Sequence, residues 1–131
     1  MILVDSTVWI DLLRNRPTTQ AARLRKLVET GEAAAAPVIV QEVLRGAADR
    51  AAFAKLRQYF LGIPLAGTSR VVELHVAAAD LYARARWRAI TPRSAHDCLI
   101  ATIAVEAGLP LLHGDRDFER LAGIEPRLKL V

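Results

Sequence analysis

A single cysteine, Cys98, excludes any internal disulfide, so the fold must rest on its core. No apolar run approaches the length needed to span a bilayer. The run at Met1–Val4 is too short, and lies too early, to act as the apolar segment of a secretory signal. These absences predict a cytoplasmic protein with no membrane partner. No repeat, low-complexity tract or linker interrupts the chain, and its 131 residues are expected to form one domain over 1–131. There is no Gly-rich phosphate loop or Walker pattern, which argues against nucleotide hydrolysis. His75 and His96 lack partners at zinc-ligand spacing. Lysine is scarce as well: arginine supplies 15 of the 18 basic residues. The net charge is +4 and the isoelectric point about 9.8. That excess is compatible with a nucleic-acid partner without establishing one, and guanidinium groups suit phosphate.

What is present is an apolar fraction of 53%, much of it alanine, arranged in alternating strand-like and helix-like stretches. Met1–Val4 is an unbroken apolar run that stops at Asp5, the pattern of a strand buried on both faces with an acid at its carboxyl end. Ser6 or Thr7 is positioned to cap a helix over Val8–Arg14, and Trp9 on its apolar stripe reads as a packing residue. A second helix from Thr18 to Thr30 stops at Gly31. Glu32–Ala36 reads as a short, alanine-weak strand, and Pro37 opens a helix carrying Glu42. Asp49 caps the next helix, to Phe60, and Ile63–Leu65 is a brief strand. Thr68 or Ser69 opens a long helix to about Arg88, with Val72, Val76, Ala79 and Ala83 expected inward. Ser94–Ala107 forms a helix stopped by Gly108, Leu109–Leu112 a strand, Phe118 and Leu121 mark a short helix, and Leu128–Val131 a last strand. This alternation predicts a parallel sheet of four to five short strands between helices.

Acids stand where such a sheet gathers its strand ends. Asp5 ends the first strand, Glu42 lies in the helix after the second, Asp97 opens the helix before the fourth, and Asp115 follows Leu112 closely, with Asp117 two residues on. If strand order reverses beside the first strand, all five face one crevice. Carboxylates crowded together raise one another's pKa, and a divalent cation relieves this. Oxygen ligands suit Mg²⁺ or Mn²⁺. Such a centre generates a hydroxide-like nucleophile and neutralises phosphoryl charge, with one metal or two. Each acid also has a plainer reading. Ser94-Ala95-His96-Asp97 is a capping box, and Asp115 and Asp117 are turn or cap residues. The remaining acids, Glu125 among them, fit solvated faces, caps or termini.

Four stretches carry a family resemblance: Val4-Asp5-Ser6-Thr7-Val8-Trp9-Ile10, Val40-Gln41-Glu42-Val43-Leu44-Arg45-Gly46, His96-Asp97-Cys98-Leu99-Ile100-Ala101 and His113-Gly114-Asp115-Arg116-Asp117-Phe118. In order and spacing they resemble the PIN-domain ribonucleases, VapC-type toxins in particular. One departure is that His113 and Gly114 stand before Asp115, where the family often has Thr or Asn next to the acid. The resemblance implies a three-layer α/β/α sandwich and Mg²⁺- or Mn²⁺-dependent endonucleolytic cleavage of RNA. It also implies a homodimer and an inhibitory antitoxin that usually draws the toxin into a DNA-binding complex. Asp5, Asp97 and Asp115 would hold the metal directly or through water. Glu42 would share it, hold a second, or orient the attacking water, and Asp117 would be an outer or weaker ligand. Ser6 and Thr7 would support the site through their hydroxyls, unless they serve only as caps.

For RNA, the candidate path runs along Arg84-Ala85-Arg86-Trp87-Arg88 and Arg93, with Arg86, Arg88, Arg93 and Arg116 holding phosphate and Trp87 stacking on a base; the alternative for this stretch is a solvated helix end favourable to the helix dipole. Arg116 has the alternative of pairing with Asp115 or Asp117. An antitoxin needs an apolar groove, for which Leu12, Leu13 and the helices at 37–44 and 49–60 are candidates. A dehalogenase-type phosphatase wants an acid two residues after Asp5, where Thr7 stands, and a receiver-like domain wants an acid pair on the first strand. A non-enzymatic binding module, with the acids as caps, would have no need of Mg²⁺.

Overall fold

The computed structural model describes residues 1–131. Its centre is β1 (Ile2–Val4), paired in parallel with β2 (Ala33–Ala34) on one side and β3 (Leu111–Leu112) on the other. The register sets Ile2 against Ala33, Leu3 against both Ala34 and Leu111, and Val4 against Leu112. Leu3, Val4 and all four strand residues beside them are buried, so the apolar run is continuous rather than alternating. β2 is made of alanines that have little intrinsic preference for a strand. Burial between helices, which small side chains permit, outweighs that preference.

The sheet has three strands rather than the expected four to five. The stretches at Ile63–Leu65 and Leu128–Val131 lie at its two outer edges but each makes a single parallel bridge, Leu65 to Ala35 and Leu130 to Leu111. Pro64 has no N–H to extend a ladder and offers only its carbonyl, to the Ala35 amide at 2.9 Å. At the other edge Leu111 exhausts both its backbone groups, with Lys129 at 2.8 Å and Val131 at 3.0 Å.

Seven helices complete a three-layer α/β/α sandwich. They are α1 (Ser6–Leu13), α2 (Thr19–Glu29), α3 (Pro37–Leu44), α4 (Arg50–Phe60), α5 (Val71–Trp87), α6 (Ala95–Ala107) and α7 (Arg116–Ile124). One packed group joins α1 to α2 and α3, and α3 to α4; the other joins α5, α6 and α7. Trp9 is fully buried, donates its indole N–H to the last carbonyl of β1 (Val4, 3.0 Å), and meets Phe60 edge-on at 5.1 Å. It is a packing residue, as its place on the stripe predicted.

Two local expectations are corrected. Neither Ser6 nor Thr7 caps α1: Asp5 does, accepting the Val8 N–H at 3.1 Å, and Ser6 is already the first helical residue. On α5 the buried side is Leu74, Ala78, Leu81 and Ala85, while Val72 and Val76 are 73% and 65% exposed. Ala79 is exposed and Ala83 only half-buried. The helix is apolar nearly all round, so periodicity alone did not choose the face. It also begins at Val71, behind Arg70 in the left-handed region (φ 52°), and uses neither Thr68 nor Ser69 as a side-chain cap.

Candidate functional site

The chain enters on β1, crosses to β2 on one side and later returns to β3 on the other, so strand order reverses at β1. The crevice beyond the carboxyl ends of β1 and β3 is the place such a reversal opens for ligands. Asp5 leaves the end of β1, and Asp115 follows β3 after the short His113–Gly114 link. α6 brings Asp97 in its first turn, and α7 brings Asp117.

Asp97, Asp115 and Asp117 offer carboxylate oxygens that all lie within 4.8 Å of one another. Asp5 and Glu42 stand outside this tightest group but close enough to act on it. Burial raises the pKa of Asp97 to about 7, and the charges of Asp115, Asp117, Asp5 and Glu42 add to the shift, in that order. All of these causes push the same way. Asp5 is almost wholly buried, and desolvation lifts it to about 6 against the lowering effect of N–H groups from Val8 and Gly114 and the charge of His113. Glu42 has its Oε2 3.6 Å from His96 Nδ1, while its Oε1 is buried without a hydrogen-bond partner.

The cap reading is correct for two acids and insufficient for the rest. Asp5 caps α1, and Asp115 caps α7 by accepting the Asp117 N–H at 2.9 Å. Ser94, not Asp97, does the capping on α6, through the His96 N–H at 3.1 Å. Asp97 therefore has no structural partner that explains its place, and neither has Glu42 Oε1.

Arginines close the open side. Arg93 donates from Nη2 to both oxygens of Asp115, at 2.8 and 2.9 Å, and from its backbone N–H and Nε to Asp117 Oδ2 at 3.0 and 3.4 Å. Arg120 reaches Asp117 Oδ1 at 3.1 Å. Arg120 was not singled out from sequence, although its i,i+3 spacing from Asp117 was the available signal. Of the two alternatives for Arg116, pairing with Asp115 or Asp117 is not seen: Arg93 and Arg120 take that place. Arg116 is exposed and lines, with Thr7, Gly114 and these groups, a wholly polar cleft of about 600 Å³. The Gly114 N–H, where the family often has a hydroxyl or amide side chain, points to Asp5 Oδ2 at 3.4 Å. His113 sets its Nδ1 2.9 Å from the Asp115 carbonyl and packs edge-on against Phe118.

Farther along, Arg86, Trp87 and Arg88 are exposed at the end of α5, with Trp87 at 78%. Arg84 is withdrawn from that path by Asp80 at 2.8 Å and Glu125 at 3.5 Å. Glu125 is not a solvated terminus. It is buried, and hydrogen bonds from the Arg127 side chain hold its pKa down at about 2 against the opposing effect of burial.

The donor set fits a hard divalent cation. Three carboxylates converge, and a fourth presents a buried oxygen without a partner. Mg²⁺ typically takes only one or two carboxylates and keeps several waters, so the set is sufficient. No helix is long and apolar enough to cross a membrane.

Comparison with known proteins places this arrangement. The PIN domain family model matches residues 2–124. Ribonuclease VapC11 of Mycobacterium tuberculosis is 33% identical over 126 residues, covering 95% of this chain and 93% of that one. VapC ribonuclease Mb1587 of Mycobacterium bovis matches to the same extent. Among solved structures, VapBC2 from Rickettsia felis, bound to a promoter DNA fragment, superposes with a TM-score of 0.76 at 16% identity, covering 100% of this chain and 98% of that one. VapBC-1 from nontypeable Haemophilus influenzae gives 0.74 at 16% identity, covering 100% and 97%. FitAcB from Neisseria gonorrhoeae gives 0.70 at 18% identity, covering 99% and 96%. At those identities the structures speak for the fold, while the sequence matches speak for kinship: the chain belongs to the PIN-domain family, with the VapC ribonucleases.

Proposed function

We propose that this chain, as one nuclease domain over 1–131, is a divalent-metal-dependent endoribonuclease. It would hydrolyse RNA phosphodiesters and serve as the toxin of a toxin–antitoxin pair. The observation that carries the reading is Asp97, an acid pushed to a pKa of about 7 by burial and four neighbouring acids, with no partner in the protein. An arrangement that costly without a cation is explained by a cation. The ribonuclease names of the curated relatives supply the substrate class.

In this reading Asp97 and Asp115 hold Mg²⁺, or Mn²⁺ in its place, and Asp5 and Asp117 hold it directly or through water. A divalent cation there supplies Lewis-acid stabilisation of phosphoryl charge and acidifies a water. Glu42 either shares a metal or orients the attacking water, and its free Oε1 serves both roles. Asp5 performs two tasks at once, fixing the start of α1 through Val8 and facing the crevice beside Gly114. Ser6 and Thr7 are adjacent, and Thr7 lines the cleft. Phosphate grip falls to Arg116 in the cleft and to Arg86 and Arg88 beside Trp87, with Arg93 at the edge of the acids.

Partner binding follows the same logic. A groove of about 380 Å³ runs between Ile10, Leu13, Val43 and Leu56, with Arg14 and Lys55 at its rim. It suits an amphipathic antitoxin segment carrying acids, through which the pair would reach DNA. The exposed Val72 and Val76 of α5 supply an apolar surface for a homodimer.

The test is cleavage of a cellular RNA pool by purified, antitoxin-free protein in Mg²⁺, Mn²⁺ and EDTA, with Asp97→Asn in parallel. Cleavage that needs metal and disappears in Asp97→Asn supports the proposal. Equal cleavage by the variant, or in EDTA, defeats it.

A further inference from the structure

We propose that Arg93 is an internal counter-cation for the acid cluster, displaced when a divalent metal binds and thereby delivered to the substrate phosphate. The inference rests on the metal-site reading above and concerns what this chain does before the metal arrives.

The geometry has two parts with different anchoring. The Arg93 backbone N–H is fixed on Asp117 Oδ2 at 3.0 Å, in the loop between α5 and α6, and fixes the root of the side chain beside the acids. The guanidinium bonds both oxygens of Asp115 from Nη2, at 2.8 and 2.9 Å, and approaches Asp117 from Nε at 3.4 Å. Its side chain is nevertheless 76% exposed, so solvent surrounds it on its outer side and no packing holds it there. It is thus an arm held at both ends by charge, and only the outer end competes with a cation.

That competition is direct. Asp115 Oδ1 already accepts the Asp117 N–H at 2.9 Å as the cap of α7, and both its oxygens accept from Arg93. A metal that uses Asp115 approaches an oxygen that already accepts from Nη2, and its charge repels the guanidinium held there. Asp117 is differently placed. Arg120 neutralises its Oδ1 at 3.1 Å whether or not Arg93 moves, so loss of the Arg93 side chain leaves it paired. Asp97 receives nothing from either arginine and remains the acid most in need of a cation.

Once released, the guanidinium stays tethered at its backbone within the polar cleft that it shares with Arg116. An arginine fork suits a phosphodiester oxygen pair better than a point charge does. Metal-free protein thus keeps Arg93 turned onto its own acids. Metal binding and phosphate binding become mutually reinforcing, as linkage requires. Arg93 is a positioning residue in this scheme, acting through Asp115 and on the phosphate.

The direct readout is the side-chain Nε–H resonance of Arg93 in isotopically labelled protein, titrated with Mg²⁺ without RNA, alongside the backbone amides of Asp97, Asp115 and Asp117. The expected result is that the amides report saturable binding while the Arg93 Nε–H moves to the position of a free guanidinium. Arg93→Gln binds Mg²⁺ tighter by about fivefold or more, because nothing competes for Asp115. Arg93→Lys, which keeps the charge but loses the fork, falls between the two. In wild type, saturating Mg²⁺ strengthens binding of a non-cleavable oligonucleotide, and in Arg93→Gln that strengthening shrinks. If Mg²⁺ shifts the aspartate amides and Arg93 stays on its carboxylates, or if Arg93→Gln binds metal no more tightly, this inference fails and the metal site survives. If no Mg²⁺ binds at all, both fail.

Discussion

Glu125 is a buried and Asp97 a half-buried carboxylate in the same small fold, and the fold treats them in opposite ways. Glu125 accepts from the Arg127 backbone and side chain at 3.2, 3.1 and 2.9 Å and from Arg84 at 3.5 Å. Its pKa falls to about 2. Asp97 has acids for neighbours and rises to about 7. Glu125 ties α5 to the segment that leads to the outer bridge at Leu130, a purely architectural task for which the chain supplies its own cations. In the acid cluster beside Asp97, Arg93 and Arg120 are spent on Asp115 and Asp117. The difference teaches that burial alone does not mark a functional acid. Burial without an internal partner is the better pointer to one.

The comparison breaks first at the chemistry. If Asp97 holds the metal as proposed, Asp97→Asn weakens that hold, and several kcal/mol of lost transition-state stabilisation amounts to about a thousandfold in rate. Glu125→Gln should leave cleavage per folded molecule close to wild type, as initial rates corrected for active fraction will check.

Stability should respond in the reverse sense. Glu125→Gln or Arg127→Ala breaks a buried pairing and lowers Tm by several degrees. Asp97→Asn raises Tm of the metal-free protein at pH 8, because it deletes an unsatisfied charge. A drop in Tm for Asp97→Asn at that pH contradicts the comparison.

The pH dependence separates the two acids further. The pKa of Asp97 is raised from 3.8 to about 7 and that of Asp5 from 3.8 to about 6, so the folded state binds more protons than the unfolded chain over that range. Metal-free stability therefore falls as pH rises from about 4 to 7, and Mg²⁺ restores it. Glu125 is lowered from 4.5 to about 2, so its contribution is complete above 4.5 and disappears as pH falls toward 2. Thermal melts in EDTA and in Mg²⁺ across this range resolve both. The smallest effect belongs to Asp80, an exposed partner of Arg84: Asp80→Ala should change stability by no more than about 0.5 kcal/mol in denaturant titration.

Much of this was legible in the sequence because the informative signals are local. An apolar run ending in Asp5, a proline at the start of α3 and a glycine after α6 name their elements without knowledge of the rest. The positions of the acids followed from strand order. What stayed hidden depends on how elements meet. α5 carries apolar residues on both sides, so only packing against α6 and α7 decided that Leu74 and Leu81 face inward and Val72 outward. The outer stretches at Leu65 and Leu130 resemble strands, yet each has one pairing residue. The cap role of Asp5 was missed because hydroxyls at the next two positions were the more obvious caps. Glu125 was misjudged because its burial and its tie to Arg84, 41 residues away, depend on how elements meet, and the pairing of Arg93 with Asp115, 22 residues away, was hidden for the same reason.

The central claim is that the acid cluster around Asp97 forms the metal centre, and calorimetric titration of metal-free protein with Mn²⁺ tests it without reference to any RNA. The account predicts saturable binding in wild type, retained in Glu125→Gln and lost or severely weakened in Asp97→Asn. Undiminished Mn²⁺ binding by a folded Asp97→Asn variant would contradict it.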